Sequence, residues 1–147
     1  MITLVNIYDE PTAEKVLYDL LLERTPEQSI SHRKMPTYEE HQAFVRSRPY
    51  QAWYLILYQQ VAEEPMEDVR QFVGATYLTR QREIGLFIFN LVAAYQDKGF
   101  GSLALIEMRR RHGEMLANIS PYNTFSQRFF TKHGGKLIQL TYRLPAL

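Results

Sequence analysis

One turn constrains this chain more than any other stretch of it: Tyr95-Gln96-Asp97-Lys98-Gly99-Phe100-Gly101-Ser102. An alternating apolar run enters it, Ile84-Gly85-Leu86-Phe87-Ile88-Phe89-Asn90-Leu91, and a helical pattern leaves it, Leu103-Ala104-Leu105-Ile106-Glu107-Met108. The first has the period of a strand, the second that of a helix. Two glycines let the backbone turn tightly and keep Cβ atoms away from whatever its amides face. A helix that starts there offers unpaired N–H groups and a partial positive charge. The sequence therefore predicts a strand, turn and helix shaped to receive an anion, above all a pyrophosphate.

The remaining patterns fix the setting of that turn. Ile2 to Tyr8 reads as a strand. Pro11 opens a helix striped by Leu17, Leu20 and Leu21, and residues 24–36 read as loop. Thr37-Tyr38-Glu39-Glu40 is a capping box for a helix to about Arg46, stopped by Pro49. Ala52 to Gln59 and Gln71 to Leu78 read as strands around an acidic turn at 60–68, and Glu83 to Leu91 pairs as a hairpin with the second. Phe100 to about His112 is the helix after the turn. Leu116 to Ser120 reads as a short strand, Thr124 to Lys132 as a helix ended by Gly134-Gly135, and Lys136 to Leu144 as a last strand. Three successive strands in the middle exclude a simple alternating doubly wound sheet and predict a mixed sheet flanked by helices.

Composition narrows the chemistry. The 147 residues suit one domain, and with 46% hydrophobic and 22% charged residues the values are those of a soluble globular protein. No apolar run is long enough to span a bilayer, and Met1 to Lys15 show no signal-peptide pattern, so a cytoplasmic protein is expected. With no cysteine there is no disulfide, no thiolate zinc site and no Cys nucleophile. His32, His41, His112 and His133 are scattered and predict no metal site. The net charge of +1 argues against a nucleic-acid partner. Its distribution is uneven: 10 Lys/Arg against 14 Asp/Glu up to residue 99, and 7 against 2 afterwards. The basic excess follows the Gly-rich turn, as an anionic ligand or a solvated basic face would require.

Three ligand chemistries compete for the turn. Gly99-Phe100-Gly101-Ser102-Leu103-Ala104 matches the dinucleotide pattern, but it comes after 98 residues and the next predicted strand ends near Ser120 without a carboxylate. A Walker loop is absent. Gln96-x-x-Gly99-x-Gly101 resembles the pyrophosphate loop of the GNAT family of acyl-CoA N-acyltransferases. Asn123-x-x-Ser126-x-x-Phe129-Phe130-x-Lys132-x-Gly134 resembles that family's closing motif, and the hairpin of Phe72 to Leu78 with Glu83 to Leu91 resembles its third and fourth strands. The resemblance covers about residues 51–144.

The resemblance implies a single domain over residues 1–147. It implies an α+β, three-layer fold whose mixed, mostly antiparallel sheet has about six to seven strands, flanked by about four helices. It implies an acetyl-CoA-dependent N-acetyltransferase acting by direct attack of an amine in a ternary complex, without a metal. The acceptor would be a small-molecule amine, a sugar-nucleotide or a peptide; neither nucleic acid nor membrane is implied, and a homodimer is compatible. The amides of Gln96, Asp97, Lys98, Gly99, Phe100, Gly101 and Ser102 would hold the pyrophosphate. The backbone of Phe89, Asn90 and Leu91 would hold the pantetheine arm and thioester carbonyl. Asn123, Ser126 and Phe130 would border the cosubstrate, although Asn123 also suits a plain helix cap. Glu83 stands where the family often has a general base, and His41 and Tyr77 would shape the acceptor groove.

Four departures qualify the picture. Ala93-Ala94 replace a frequent Pro-Glu, Asp97 replaces a Gly, Gly135 replaces a Phe, and Phe130 stands where a proton-donating Tyr is common. Phe donates no proton. Either water, or the hydroxyl of Tyr142 or Tyr122, then serves the departing thiolate, or the thiolate leaves unassisted, or the chain is a catalytically degenerate acyl-CoA-binding regulatory or interaction module. Competing structural readings exist for Glu83 as a hairpin surface residue, His41 as helix packing, and Arg109-Arg110-Arg111, which could reach the 3′-phosphate of CoA, as a solvated helix end.

Overall fold

A computed structural model describes residues 2–23, 34–60, 69–90 and 99–147. Strand β1 (Ile2–Asn6) passes through a 3-10 turn (Ile7–Asp9) to helices α1 (Ala13–Leu22) and α2 (Tyr38–Arg46). Strands β2 (Ala52–Gln60), β3 (Val69–Leu78) and β4 (Ile84–Ile88) follow, then α3 (Phe100–His112) and α4 (Thr124–Lys132). The four strands form one antiparallel sheet in the order β1-β2-β3-β4. This is an α+β architecture, and the described residues hold four strands rather than the six to seven expected.

Alternation along the strands explains the layers. Tyr54 and Ile56 of β2 face Phe100, Ala104, Leu105 and Met108 of α3, with Leu4, Leu78 and Ile84. Trp53 and Leu55 face the other way, onto Ala13, Leu17 and Leu20 of α1 and Val45 of α2. Both faces of β2 are therefore covered, which is why it reads as nearly continuous Trp, Tyr, Leu and Ile. The buried Thr76 hydroxyl donates to the Gly85 carbonyl at 2.7 Å, so this polar side chain enters the core satisfied. The Thr37 box forms as expected: its hydroxyl accepts from the Glu40 amide at 3.1 Å, and the Glu40 carboxylate accepts from the Thr37 amide at 3.3 Å. Helix α1 starts at Ala13 rather than Pro11, which stays in the preceding turn.

A bulge interrupts β3. Leu57 pairs with Phe72 and Ile56 with Gly74, leaving Val73 as the extra residue. Its carbonyl accepts the Phe89 amide at 2.9 Å, just past the end of β4. The bulge thus carries pairing one step further toward the segment that enters the Gly-rich turn. The two strands also approach closely here. A Cβ on Gly74 would lie 2.1 Å from the Phe87 carbonyl oxygen.

Two expected strands are corrected. Leu116–Ser120 makes only one parallel bridge, Leu116 with Glu83. The Ile84 amide donates to the Leu116 carbonyl at 2.8 Å and the Leu116 amide to the Arg82 carbonyl at 2.7 Å, after which the chain leaves the sheet. Lys136–Leu144 joins no ladder, and its apolar side chains are exposed. Both runs have strand composition, but composition expresses fitness for a pleated surface, and a strand forms only beside a partner.

Replacing Gly74 with Ala is expected to destabilise the fold by about 1–3 kcal/mol, because the obstacle is strand backbone rather than a movable side chain. Urea unfolding of the variant measures this; an unchanged midpoint would mean that the β3–β4 approach is not tight in solution.

Candidate functional site

Strand β4 and the segment after His112 form a wedge. They touch at Glu83 and Leu116 and are not paired beyond it. Arg82 secures the closed end. It sits at φ 70° in the hairpin, and its guanidinium donates to the His112 carbonyl and, at 2.8 Å, to the Glu114 carbonyl. A cation on the last carbonyls of α3 is also favoured by the helix dipole.

At the opposite end of α3 stands the Gly-rich turn. Leu91, Gln96, Asp97 and Lys98 lie outside the described residues; Gly99, Phe100, Gly101 and Ser102 are described. Gly99 is left-handed, φ 76° and ψ 14°, and its carbonyl accepts the Leu103 amide at 3.0 Å. That conformation is why glycine is needed there. Among the described residues no heavy atom lies within 4 Å of where its Cβ would stand. The first turn of α3 contains no acidic residue, and its last turn is Arg109-Arg110-Arg111-His112. Both features complement the helix dipole and leave the N-terminal end suited to an anion.

Gly101 is placed differently. It lies in the first turn of α3 without a left-handed φ. A Cβ there would meet the Phe129 ring at 3.5 Å and Ile88 at 3.9 Å. Of the two glycines, only Gly99 supplies a left-handed φ. Ser102 meets the end of α4, with its hydroxyl 2.9 Å from His133 Nε2. Arg109 donates to the His133 carbonyl at 3.2 Å, and the His133 and Phe129 rings are 4.8 Å apart. Sequence reasoning set His133 aside as scattered. Its place beside Gly134, at the end of the closing motif, was the available signal.

The other expected site residues divide. Asn123 caps α4, its side-chain oxygen accepting the Ser126 amide at 3.0 Å. Phe130 packs half-buried on the α3 side of the core. The Phe89 amide donates to Val73, and the Asn90 amide donates to the Glu23 carboxylate at 2.8 Å. Two donors expected to face the cosubstrate are thus committed within the chain. Glu83 stands at the closed end of the wedge, six residues or roughly 20 Å of strand from Phe89. Tyr122 lies in the turn before α4 and Tyr142 on the C-terminal segment, both 77% exposed. Tyr77 stacks on Tyr50 with ring centres 4.0 Å apart, and a Cβ on Gly85 would strike its ring at 2.2 Å. It belongs to the aromatic layer with Trp53 and Phe87.

His41 is corrected from acceptor groove to packing. It is buried between α1 and α2, with Nε2 3.0 Å from the Glu14 carbonyl and its ring against Tyr18 and Tyr38. Burial holds its imidazole below the ordinary value, opposed by the contact with Glu14. His112, hydrogen-bonded to the Tyr54 hydroxyl at 3.1 Å, is lowered too, first by burial and then by Arg82 and Arg111. Among the described residues no cluster of His, Asp or Glu could hold a metal, and no helix is long and apolar enough to cross a membrane.

No family model matches the chain, and no curated protein matches its sequence. Solved structures share its fold. A domain from Methanocaldococcus jannaschii superposes with a TM-score of 0.69 at 20% identity, covering 92% of this chain and 88% of its own. A Trypanosoma brucei acetyltransferase superposes with a TM-score of 0.53 at 17% identity, covering 99% of both chains. A Bacillus halodurans protein gives 0.51 at 14% identity, also covering 99% of both. The α+β architecture is compatible with the GNAT fold, and one of its structural neighbours is an acetyltransferase.

A lowered imidazole binds fewer protons in the folded state than in the unfolded one. Its contribution to stability is therefore present above about pH 6.5 and is lost as pH falls through the folded-state value. The melting temperature is expected to be lower at pH 5.5 than at pH 7.5, and His41→Gln should make that decline shallower. An equal slope in the variant would remove His41 from the account.

Proposed function

We propose that the chain is an acetyl-CoA-dependent N-acetyltransferase, transferring an acetyl group to a primary amine by direct attack. The observation that carries this reading is the left-handed Gly99 opening α3, with no described atom against it and no carboxylate in the first helical turn. The turn sits in a fold shared with an acetyltransferase. When bound, acetyl-CoA supplies an activated thioester.

The chain's own part is mostly backbone. The first-turn amides of α3 lack helical acceptors and hold the pyrophosphate. Phe129 packs beside Gly101, and the Ser102–His133 contact keeps α4 beside the turn. No cysteine is present to form a covalent acyl-enzyme, which favours direct attack by the amine. Phe130 offers no proton, but a thiolate is a better leaving group than an alkoxide. Water suffices to protonate it. Glu83 stands too far along β4 to touch an amine at the open end, so it acts, if at all, through water. Glu83→Gln is accordingly expected to lower kcat by less than about tenfold, against the roughly 10²–10⁴ lost with a direct general base. A larger loss, greatest at low pH, would return the base to Glu83.

A second reading keeps the cradle without the chemistry: an acyl-CoA-binding regulatory or interaction module. Phe130, together with the committed Phe89 and Asn90 amides, favours it. Two measurements separate the readings. Acetyl-CoA at 100-fold over its Kd should stabilise the chain by about 2.7 kcal/mol, seen as a thermal shift. A panel of small amines, amino acids, peptides and amino-sugar nucleotides should release CoA above the hydrolysis background. Binding without release assigns the chain to the second reading, and no thermal response at millimolar acetyl-CoA removes both.

A further inference from the structure

The C-terminal segment has the pattern of a strand and the exposure of none. Along Lys136-Leu137-Ile138-Gln139-Leu140-Thr141-Tyr142-Arg143-Leu144, every second residue from Ile138 to Leu144 is apolar, while Gln139, Thr141 and Arg143 alternate with them. That is the signature of a sheet strand with one covered face. Yet Ile138, Leu140, Tyr142 and Leu144 are all about two-thirds or more exposed. The segment runs without helix, turn or bend and joins no ladder of its own sheet. A strand left so keeps a row of main-chain donors and acceptors unmatched and an apolar face in water.

Its departure from α4 is built into the helix end. Gly134 is left-handed at φ 89°, its amide donates to the Thr131 carbonyl at 3.0 Å, and the Gly135 amide donates to the Phe130 carbonyl at 2.8 Å. A Cβ on Gly135 would come within 2.8 Å of that Phe130 oxygen. A double-glycine cap of this kind fixes the direction in which the chain leaves. That direction carries the strand away from the rest of its own molecule, as the exposure of every residue after Gly134 shows.

The same chain holds an edge in need of a strand. Leu116 bonds β4 on one side only, and the residues to Ser120 belong to no ladder although their composition predicts one. Met115-Leu116-Ala117-Asn118-Ile119-Ser120 carries no charge to oppose Lys136 or Arg143. The exposed Phe125 of α4 adds further uncovered apolar surface in this part of the chain. Donor strand and receiving edge in one sequence are satisfied together by a two-fold axis, since each copy then gives one strand and takes one. Residues 136–147 extend roughly 40 Å, enough to cross to a second molecule.

We propose that residues 136–147 are an exchanged strand, pairing with the Leu116–Ser120 edge of a second copy in a two-fold dimer. Light scattering on the full chain should give twice 17.3 kDa. In a dimer grown from equal parts of isotope-labelled and unlabelled chain, isotope-filtered NMR should show contacts between residues 136–147 of one copy and 116–120 of the other. Ile138→Asp with Leu140→Asp should shift the chain to monomer while the far-ultraviolet circular dichroism of the core persists. A monomeric full chain, contacts found only within one copy, or a dimer unmoved by the paired substitution would each overturn the proposal. Should the variant fail to fold, the filtered contacts of the unmodified chain decide.

Discussion

The architecture turns on Arg82. In the β3–β4 hairpin its carbonyl takes the Leu116 amide, and its guanidinium takes the carbonyls of His112 and Glu114. One residue thus ends α3, anchors the chain that follows and permits a single parallel bridge to β4. Had pairing continued past Leu116, β4 and that chain would form one flat sheet with no gap between them. Because pairing stops, the two separate, and α3 reaches from the closed end to the Gly-rich turn. The left-handed φ at Arg82 costs something for a non-glycine residue. Charge-assisted contacts to the last carbonyl of α3 and to the Glu114 carbonyl beyond it offset it.

The electrostatics of the turn come from backbone rather than side chains. The basic excess after residue 99 suggests an anion site, but its densest part is already used. Arg110 and Arg111 both pair with Glu107, Arg111 also lies 5.4 Å over the Tyr54 ring, and Arg109 binds the end of α4. These exposed ion pairs contribute little to stability. What they do is hold the last turn of α3 in a favourable arrangement with its dipole, whose other end lies at Gly99.

Where local rules decide, the sequence was legible. The capping box at Thr37, the Asn123 cap, the α3 pattern after the turn and the alternation of β2 all gave the observed elements, because each depends on residues within one or two turns of each other. The illegible parts depend on distant chain. His41 has the same local signature whether it faces a groove or Tyr18 and Tyr38; only the docking of α1 on α2 decides. The Ser102–His133 contact spans 31 residues and follows no spacing rule. Residues 136–144 have everything a strand needs except a neighbour, and the neighbour is not a property of the segment.

A site made of a glycine dihedral, helix-end amides and one strand bridge places few demands on side chains. The amides are present whatever residues flank them, and the helix dipole is the same for any helix of this length. Substitution can therefore run far before such a site is lost, which makes 14–20% identity among proteins sharing the fold physically reasonable. The same tolerance explains why fold alone does not fix the reaction. A Tyr can become Phe130 without disturbing the α4 packing, since a phenyl ring fills the same half-buried place against the core. What changes is only whether a proton donor stands near the departing group. A departing thiolate places a smaller demand on such a donor than an alkoxide would, so on the proposed reading Phe130 does not by itself preclude acyl transfer.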